Sequence, residues 1–191
     1  MITRRNFLAL GVAPVLGSVW ANDVIAKSKS LRPAPIPPGY LHMARMKRVP
    51  APVLYAVALQ ESQMRFGNNV LPYPWTLNIQ GMPKRFDSYR AALAALVDCL
   101  RMGTLLVDIG LLQICWLYHR SKLRSPARAL NPYLNMEVAA ELLHDHFKKS
   151  GSWFRAVAIY HNADPAIGVP YATSVFRHLG RIPSIAGGYD G

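Results

Sequence analysis

A carboxylate near the end of an apolar segment is the first sign of chemistry in this chain. In "LYAVALQES", residues 54–62, Leu54, Val57 and Ala58 precede Glu61 by seven, four and three positions, and these offsets place side chains on one helical face. Burial penalises the charged form of a carboxyl group and raises its pKa, which suits a general acid near neutral pH. The pattern predicts Glu61 as that acid. An ordinary polar residue at a frayed helix end, or a glutamate paired with an arginine, is the structural alternative.

A second segment, "DIGLLQICW" at 108–116, places one amide among apolar residues. We predict a helix capped by Asp108 here, in which Gln113 hydrogen-bonds a sugar hydroxyl or amide. The same amide can instead satisfy a nearby backbone group. Asp108 is interpreted most simply as the cap, and a second catalytic carboxylate is the alternative.

A third segment, "AVAIYHNAD" at 156–164, carries a tyrosine on an apolar stripe. Trp153, Ala156 and Val157 share a helical face with Tyr160, so the phenol hydroxyl needs a hydrogen-bond partner when buried. Packing in the core is the simplest interpretation of Tyr160. The histidines lack the spacing of metal ligands, and we expect neither a metal nor another cofactor.

Helices must position these residues. Capping residues, prolines and glycines along the chain predict where the helices begin and end. Proline and glycine between residues 65 and 87 predict a small hairpin or irregular flap, in which Trp75 either lines a sugar-binding groove or belongs to the core. The predicted fold is mainly α, a helical domain with one small β-hairpin or flap. The expected helices cover about residues 38–48, 52–64, 88–102 capped by Ser88, 108–119, 135–150 capped by Asn135 and ended by Gly151, a helix capped by Ser152 that carries Tyr160, and 170–179.

The N-terminus has the layout of an export signal. In residues 1–26, Arg4 and Arg5 precede an apolar run that ends in the small-residue sites "VWA" and "VIA". The run is shorter than the ~20 residues of a membrane-spanning helix, and "TRRNFL" resembles a twin-arginine signal. We expect cleavage and a periplasmic mature protein, with an uncleaved anchor as the alternative. Residues 27–37 are predicted to be a proline-rich linker, residues 38–180 the domain, and residues 181–191 a tail.

The charge of the chain favours an anionic partner. The 22 Lys and Arg outnumber the 10 Asp and Glu, which gives a formal net charge of +12. An exported basic protein meets the cell wall before nucleic acid, and its basic residues are scattered without the aromatic pattern of a nucleic-acid site. We therefore expect no nucleic-acid partner. Cys99 and Cys115 are either a disulfide or two thiols.

The three motifs in order, "ALQES", "GLLQI" and "AIYHNA", resemble the lytic transglycosylases of the soluble SLT type, which have an α+β lysozyme-like fold. The resemblance covers residues 38–180. The long spacing between the first two motifs is similar to that of the branch associated with conjugation and type IV secretion. The chain departs from the family pattern at Leu112, at Cys115 and Trp116, and at the additional His161.

The resemblance implies cleavage of the β-1,4 bond between N-acetylmuramic acid and N-acetylglucosamine in peptidoglycan, giving 1,6-anhydro ends without water. Glu61 would be the catalytic residue. Glycan strands would be the partner, with secretion or conjugation proteins around the site of action. The alternatives are a goose-type lysozyme-like hydrolase, an inactive peptidoglycan-binding component of a secretion machine, and a DNA-binding protein of a mobile element, which leaves the export signal unexplained. The substrate-binding residues would be Ser62, Gln113, Tyr160, Trp75 and Asn162.

Overall fold

The computed structural model describes residues 32–183. The predicted export signal, the start of the predicted linker and the end of the predicted tail lie outside these residues. Within residues 32–183, no helix has the length and apolar character needed to cross a bilayer. The helices are α1 (Pro38–Lys47), α2 (Ala51–Ser62), α3 (Tyr89–Arg101), α4 (Trp116–Leu123), α5 (Pro126–Ala129), α6 (Pro132–Ser150), α7 (Trp153–His161) and α8 (Pro165–Leu179).

Short strands complete the domain and form two small sheets. The first sheet has the order β1-β3-β2 and the second the order β5-β4-β6-β7. The mainly helical prediction is confirmed, and the segment predicted as one hairpin or flap forms two antiparallel hairpins, β2–β3 and β4–β5. The strands are β1 (Arg32–Pro33), β2 (Gln63–Phe66), β3 (Asn69–Pro72), β4 (Thr76–Ile79), β5 (Met82–Arg85), β6 (Val107–Ile109) and β7 (Ile114–Cys115).

Helix α2 is the centre of the domain. Every residue from 54 to 59 is completely buried, so the helix is enclosed on all sides rather than along the single apolar face that the sequence predicts. Helices α1 and α8 and strand β3 pack around it. Because only its last turn reaches the surface of a cleft, α2 delivers Glu61 there from a rigid, fully packed support.

The predicted linker is partly built into the domain. Strand β1 pairs in parallel with β3, and Ala34 and Ile36 are buried against the core. These apolar side chains gain from leaving water. Part of the predicted linker therefore packs against the domain.

Three predicted helix starts are wrong, those near Asp108, Asn135 and Pro170. Asp108 caps no helix: it lies in β6, and Gly110 and Gln113 have φ of 80° and 43° in the turn that follows. These left-handed conformations are incompatible with a continuing helix, and α4 begins only at Trp116. The cap of α6 is Asn131, whose side chain accepts from the amides of residues 133 and 134. Pro132 at the first helical position favours this start.

The other predicted ends agree better. Ser88 and Ser152 cap α3 and α7 through their side chains, and Gly151 ends α6 in a left-handed conformation. The third wrong start is that of α8, which begins at Pro165, five residues earlier than predicted, with Asp164 as its cap.

Helices α7 and α8 approach closely at Gly168. A Cβ atom at this glycine would lie 2.5 Å from the carbonyl oxygen of Asn162 and 2.7 Å from that of Ala158. Only a glycine permits such an approach. The contact fixes α8 against the end of α7 and brings Tyr171, one turn later, toward the end of α2.

Candidate active site

A cleft of about 470 Å³ opens beside the last turn of α2. The second sheet forms one wall, and residues of α4 and α7 form much of the other. The predicted hairpin region therefore does line a groove, through β4 and β5. The carboxylates of Glu61 and Asp108 both belong to this cleft.

The sheet wall places polar side chains in register. Asn78 of β4 pairs with Asp108 of β6, and Asp108 pairs with Cys115 of β7. Directly paired residues in an antiparallel sheet share a face, so these three side chains point together into the cleft. The alternate residues Leu77 and Ile109 point to the core and are completely buried.

The surroundings of Glu61 favour its protonated form. Burial raises its pKa to about 7, a hydrogen bond from Tyr171 opposes the rise, and the charge of Asp108 adds to it. The Tyr171 hydroxyl donates to Oε1 at 2.5 Å. An acid with this pKa is partly protonated at neutral pH, as general acid catalysis requires.

Asp108 is a second carboxylate in the cleft. Burial raises its pKa, while hydrogen bonds from the Cys115 thiol and the Asn78 amide, together with the nearby His161, act in the opposite direction. The Asn78 amide nitrogen lies 3.0 Å from Oδ2. Two donors favour the ionised form of Asp108, whereas Glu61 accepts from Tyr171.

The side chain of Asn135 holds the turn between β6 and β7 in place. This buried side chain accepts from the amide of Leu112 at 2.9 Å and donates to the carbonyls of Ile109 and Ala129 at 2.8 and 3.1 Å. A Cβ atom at Gly110 would come within 2.8 Å of its amide nitrogen. Asn135, predicted as a helix cap, is therefore the anchor of the "GLLQ" turn.

Gln113 and Tyr160 both line the cleft, and both also hold the backbone. The Gln113 amide nitrogen donates to the carbonyls of Gly110 and Thr76 at 2.8 and 3.2 Å. The Tyr160 hydroxyl donates to the carbonyl of Leu112 at 2.7 Å. The structural partners that the sequence left open are thus identified.

Three other predicted substrate-binding residues do not line the cleft. Ser62 is buried, and its hydroxyl donates to the carbonyl of Leu111 and accepts from the amide of Tyr73. Trp75 packs against the core and edge-on to Tyr73, as the structural alternative expects. The side chain of Asn162 accepts from the amide of Asp164. Each of the three therefore makes contacts with the protein itself, in the core or with the backbone.

Sequence reasoning missed Tyr171. It lies in the segment "GVPYATSVF", which contains no charged residue and none of the three motifs. Its hydrogen bond to Glu61 depends on the crossing of α8 over α7, which no local pattern reveals. His161, noticed only as an additional residue, stacks on the ring of Tyr171.

Cys99 and Cys115 are free thiols, in α3 and β7. Among the described residues, no group of three His, Cys, Asp or Glu side chains is arranged to hold a metal ion.

Comparison with known protein families gives one result. The family model of the transglycosylase SLT domain matches residues 41–173. This range contains Glu61, the turn at 110–113, Tyr160 and Tyr171. Searches of curated proteins and of solved structures find no match.

Proposed function

Because this chain belongs to the SLT transglycosylase domain family, whose members are lytic transglycosylases acting on peptidoglycan, we propose that Glu61 is its catalytic residue. The bond cleaved is the β-1,4 bond between N-acetylmuramic acid and N-acetylglucosamine. The observation that carries the proposal is the position of Glu61 at the cleft, at the end of a buried helix, with a pKa of about 7.

The reaction needs one group that gives a proton and then takes one. Protonated Glu61 donates its proton to the glycosidic oxygen as the bond from that oxygen to the anomeric carbon breaks. The acetamido group of the substrate stabilises the positive charge that develops. The Glu61 carboxylate then takes the proton of the muramoyl 6-hydroxyl, whose oxygen bonds to the anomeric carbon. The products are a free N-acetylglucosamine end and a 1,6-anhydro end, and Glu61 is again protonated.

The surroundings of Glu61 suit both halves of this cycle. Burial keeps the acid form populated near neutral pH, and the Tyr171 hydroxyl stabilises the carboxylate that follows. Gln113 and Tyr160 form the adjacent part of the cleft and are placed to position the muramoyl sugar. Ser62, Trp75 and Asn162 support these groups through the core and the backbone.

A second candidate is hydrolysis, and Asp108 is the observation that favours it. Most glycosidases use two carboxylates that flank the scissile bond, and Asp108 shares the cleft with Glu61. With Asp108 stabilising the positive charge, a water molecule in place of the 6-hydroxyl would give a reducing N-acetylmuramic acid end. The two products differ in mass by one water.

Mass spectrometry of muropeptides released from purified sacculi separates the candidates. We expect anhydro ends from the parent protein and a loss of at least ~100-fold in Glu61→Gln, since general acid–base catalysis contributes ~10²–10⁴ in rate. Glu137→Gln is the matched control, because Glu137 lies outside the cleft and its partner Lys47 keeps Glu141. Reducing ends would establish hydrolysis instead. An inactive parent that still binds sacculi would establish the wall-binding component.

The cellular setting is proposed from the sequence. The twin-arginine-like start and the basic composition support export to the periplasm and contact with the acidic wall. The long spacing between motifs supports a role in opening the wall for a secretion or conjugation apparatus. Isolation of the exported protein with such an apparatus would test this role.

A further inference from the structure

The imidazole of His161 lies flat on the phenol ring of Tyr171. The ring centroids are 4.2 Å apart and the planes differ by 6°. On its other side, Tyr171 donates its hydroxyl to Glu61. An imidazole, a phenol and a carboxyl group are therefore in successive contact, although they come from α7, α8 and α2.

The stack is the main contact that orients the His161 ring. His161 is the last residue of α7 and lines the cleft. Within residues 32–183, its imidazole makes no hydrogen bond to another group of the protein. Burial lowers the pKa of His161, and the charge of Asp108 opposes that change. The ring that covers Tyr171 near neutral pH is thus an uncharged aromatic surface.

The position of the Tyr171 hydroxyl matters for the acid that accepts from it. Tyrosine can swing about its side-chain torsions, and a displacement of ~1 Å at a reacting group can cost ~100-fold in rate. Tyr171 is buried in the hydrophobic core, and the stacked imidazole of His161 covers one face of its ring. A group that prevents the phenol from swinging into the cleft therefore preserves the hydrogen bond to Glu61.

We propose that His161 is a positioning residue, which holds Tyr171 by ring stacking and through it fixes the carboxyl group of Glu61. This inference rests on the proposed role of Glu61. Two other titratable groups act on the stacked pair: the charge of Asp108 acts on His161, and Tyr160 acts on Tyr171.

Replacement of His161 by alanine and by phenylalanine tests the stack. With a soluble peptidoglycan fragment, we expect His161→Ala to lower kcat by roughly tenfold, less than a full displacement would cost, with a smaller effect on KM. The alkaline limb of its pH profile should move upward, since loss of the Tyr171 hydrogen bond raises the pKa of Glu61. His161→Phe keeps a flat ring and should restore most of kcat and the parental limb.

A double-mutant cycle shows whether His161 acts through Tyr171. In a Tyr171→Phe background, His161→Ala should cause little further loss, because the hydroxyl that it positions is gone. An equal loss in both backgrounds would overturn the proposal. So would parental kcat in His161→Ala, or a phenylalanine variant as poor as the alanine variant.

The pKa of Glu61, measured by carbon NMR of the labelled carboxyl group, provides a readout without turnover. We expect it to rise in His161→Ala and to return in His161→Phe. If the parent protein releases no muropeptides, the proposed function fails while this measurement still decides the role of His161. An unchanged pKa of Glu61 in His161→Ala would refute that role in an active or an inactive protein.

Discussion

Tyr171 and Glu61, 110 residues apart in the chain, are joined by a hydrogen bond of 2.5 Å from the phenol hydroxyl to the carboxyl oxygen Oε1. The contact lies at the end of a buried helix, where Glu61 lines the cleft. The hydrogen bond favours the ionised form of Glu61, while burial and Asp108 favour the protonated form. The balance of these effects sets the pKa of the acid, and variants can shift it in either direction.

Tyr171→Phe should raise the pKa of Glu61 above about 7. The variant removes the donor that stabilises the carboxylate and leaves the ring in place. We expect the alkaline limb of kcat/KM to move to higher pH and kcat to fall by roughly 10–100-fold, as misplacement of a catalytic group does. A pH profile with a soluble peptidoglycan fragment measures both. An unchanged limb would show that the hydrogen bond does not tune Glu61.

Asp108→Asn should move the same limb to lower pH. The charge of Asp108 raises the pKa of Glu61, and an asparagine removes that charge while it can still accept from Asn78. Shifts of opposite sign in Asp108→Asn and Tyr171→Phe would confirm that both residues act on Glu61. If Asp108 also stabilises the transition state, kcat should fall below that of the parent at every pH. If the alkaline limb stays at its parental pH, Asp108 does not influence the pKa of Glu61.

Glu61 should lower the stability of the fold at alkaline pH. Its pKa is raised from 4.5 to about 7 in the folded state, so the folded protein binds the proton more tightly than the unfolded chain. Stability therefore falls as pH rises from about 4.5 to about 7, and the cost is fully present above that window. Urea unfolding should show Glu61→Gln more stable than the parent at pH 8, by up to ~3 kcal/mol. The difference should vanish near pH 4, and an equal difference at both values would contradict the shift.

Asn131 and Asn135 should differ in what they contribute. Asn131→Ala removes a helix cap and should cost ~1 kcal/mol. Asn135→Ala leaves the amide of Leu112 and the carbonyls of Ile109 and Ala129 without their buried partner, at ~1–3 kcal/mol for each unsatisfied group. Thermal unfolding of the two variants compares them. A larger loss in Asn131→Ala than in Asn135→Ala would contradict the role of Asn135 as the buried anchor of the turn.

The paired arginines at the start of the chain predict the export route. Arg4→Lys combined with Arg5→Lys keeps the charge and should prevent appearance of the protein in the periplasm, if the twin-arginine route is used. Immunoblots of periplasmic and cytoplasmic fractions measure the outcome. Unchanged periplasmic yield would exclude that route and leave the general secretory route.

Helix caps and the glycine that ends a helix can be predicted from the sequence because their effects are local. Ser88 and Ser152 were identified as caps, and Gly151 as a helix end, from residues within a few positions of each boundary. In "NPYLN", the sequence predicts Asn135 as the helix cap, whereas the cap is Asn131. Asparagine is common at helix caps, and only Pro132, at the first helical position, indicates which of the two residues is the cap. Asp108 was misassigned because the signal of a cap resembles that of a short strand before a glycine turn.

The sequence alone determined the mainly helical domain, the export-like start and the identity of Glu61 as the residue to examine, since periodicity and motif order are properties of the chain itself. The tertiary structure decided which groups surround that carboxyl. Strand register placed Asn78, Asp108 and Cys115 side by side, and the close crossing at Gly168 brought Tyr171 and His161 to Glu61. Three predicted substrate-binding residues make contacts within the protein instead: Ser62, Trp75 and Asn162. Such contacts join residues far apart in the chain, and they form only when several elements pack at once, so no local pattern could specify them.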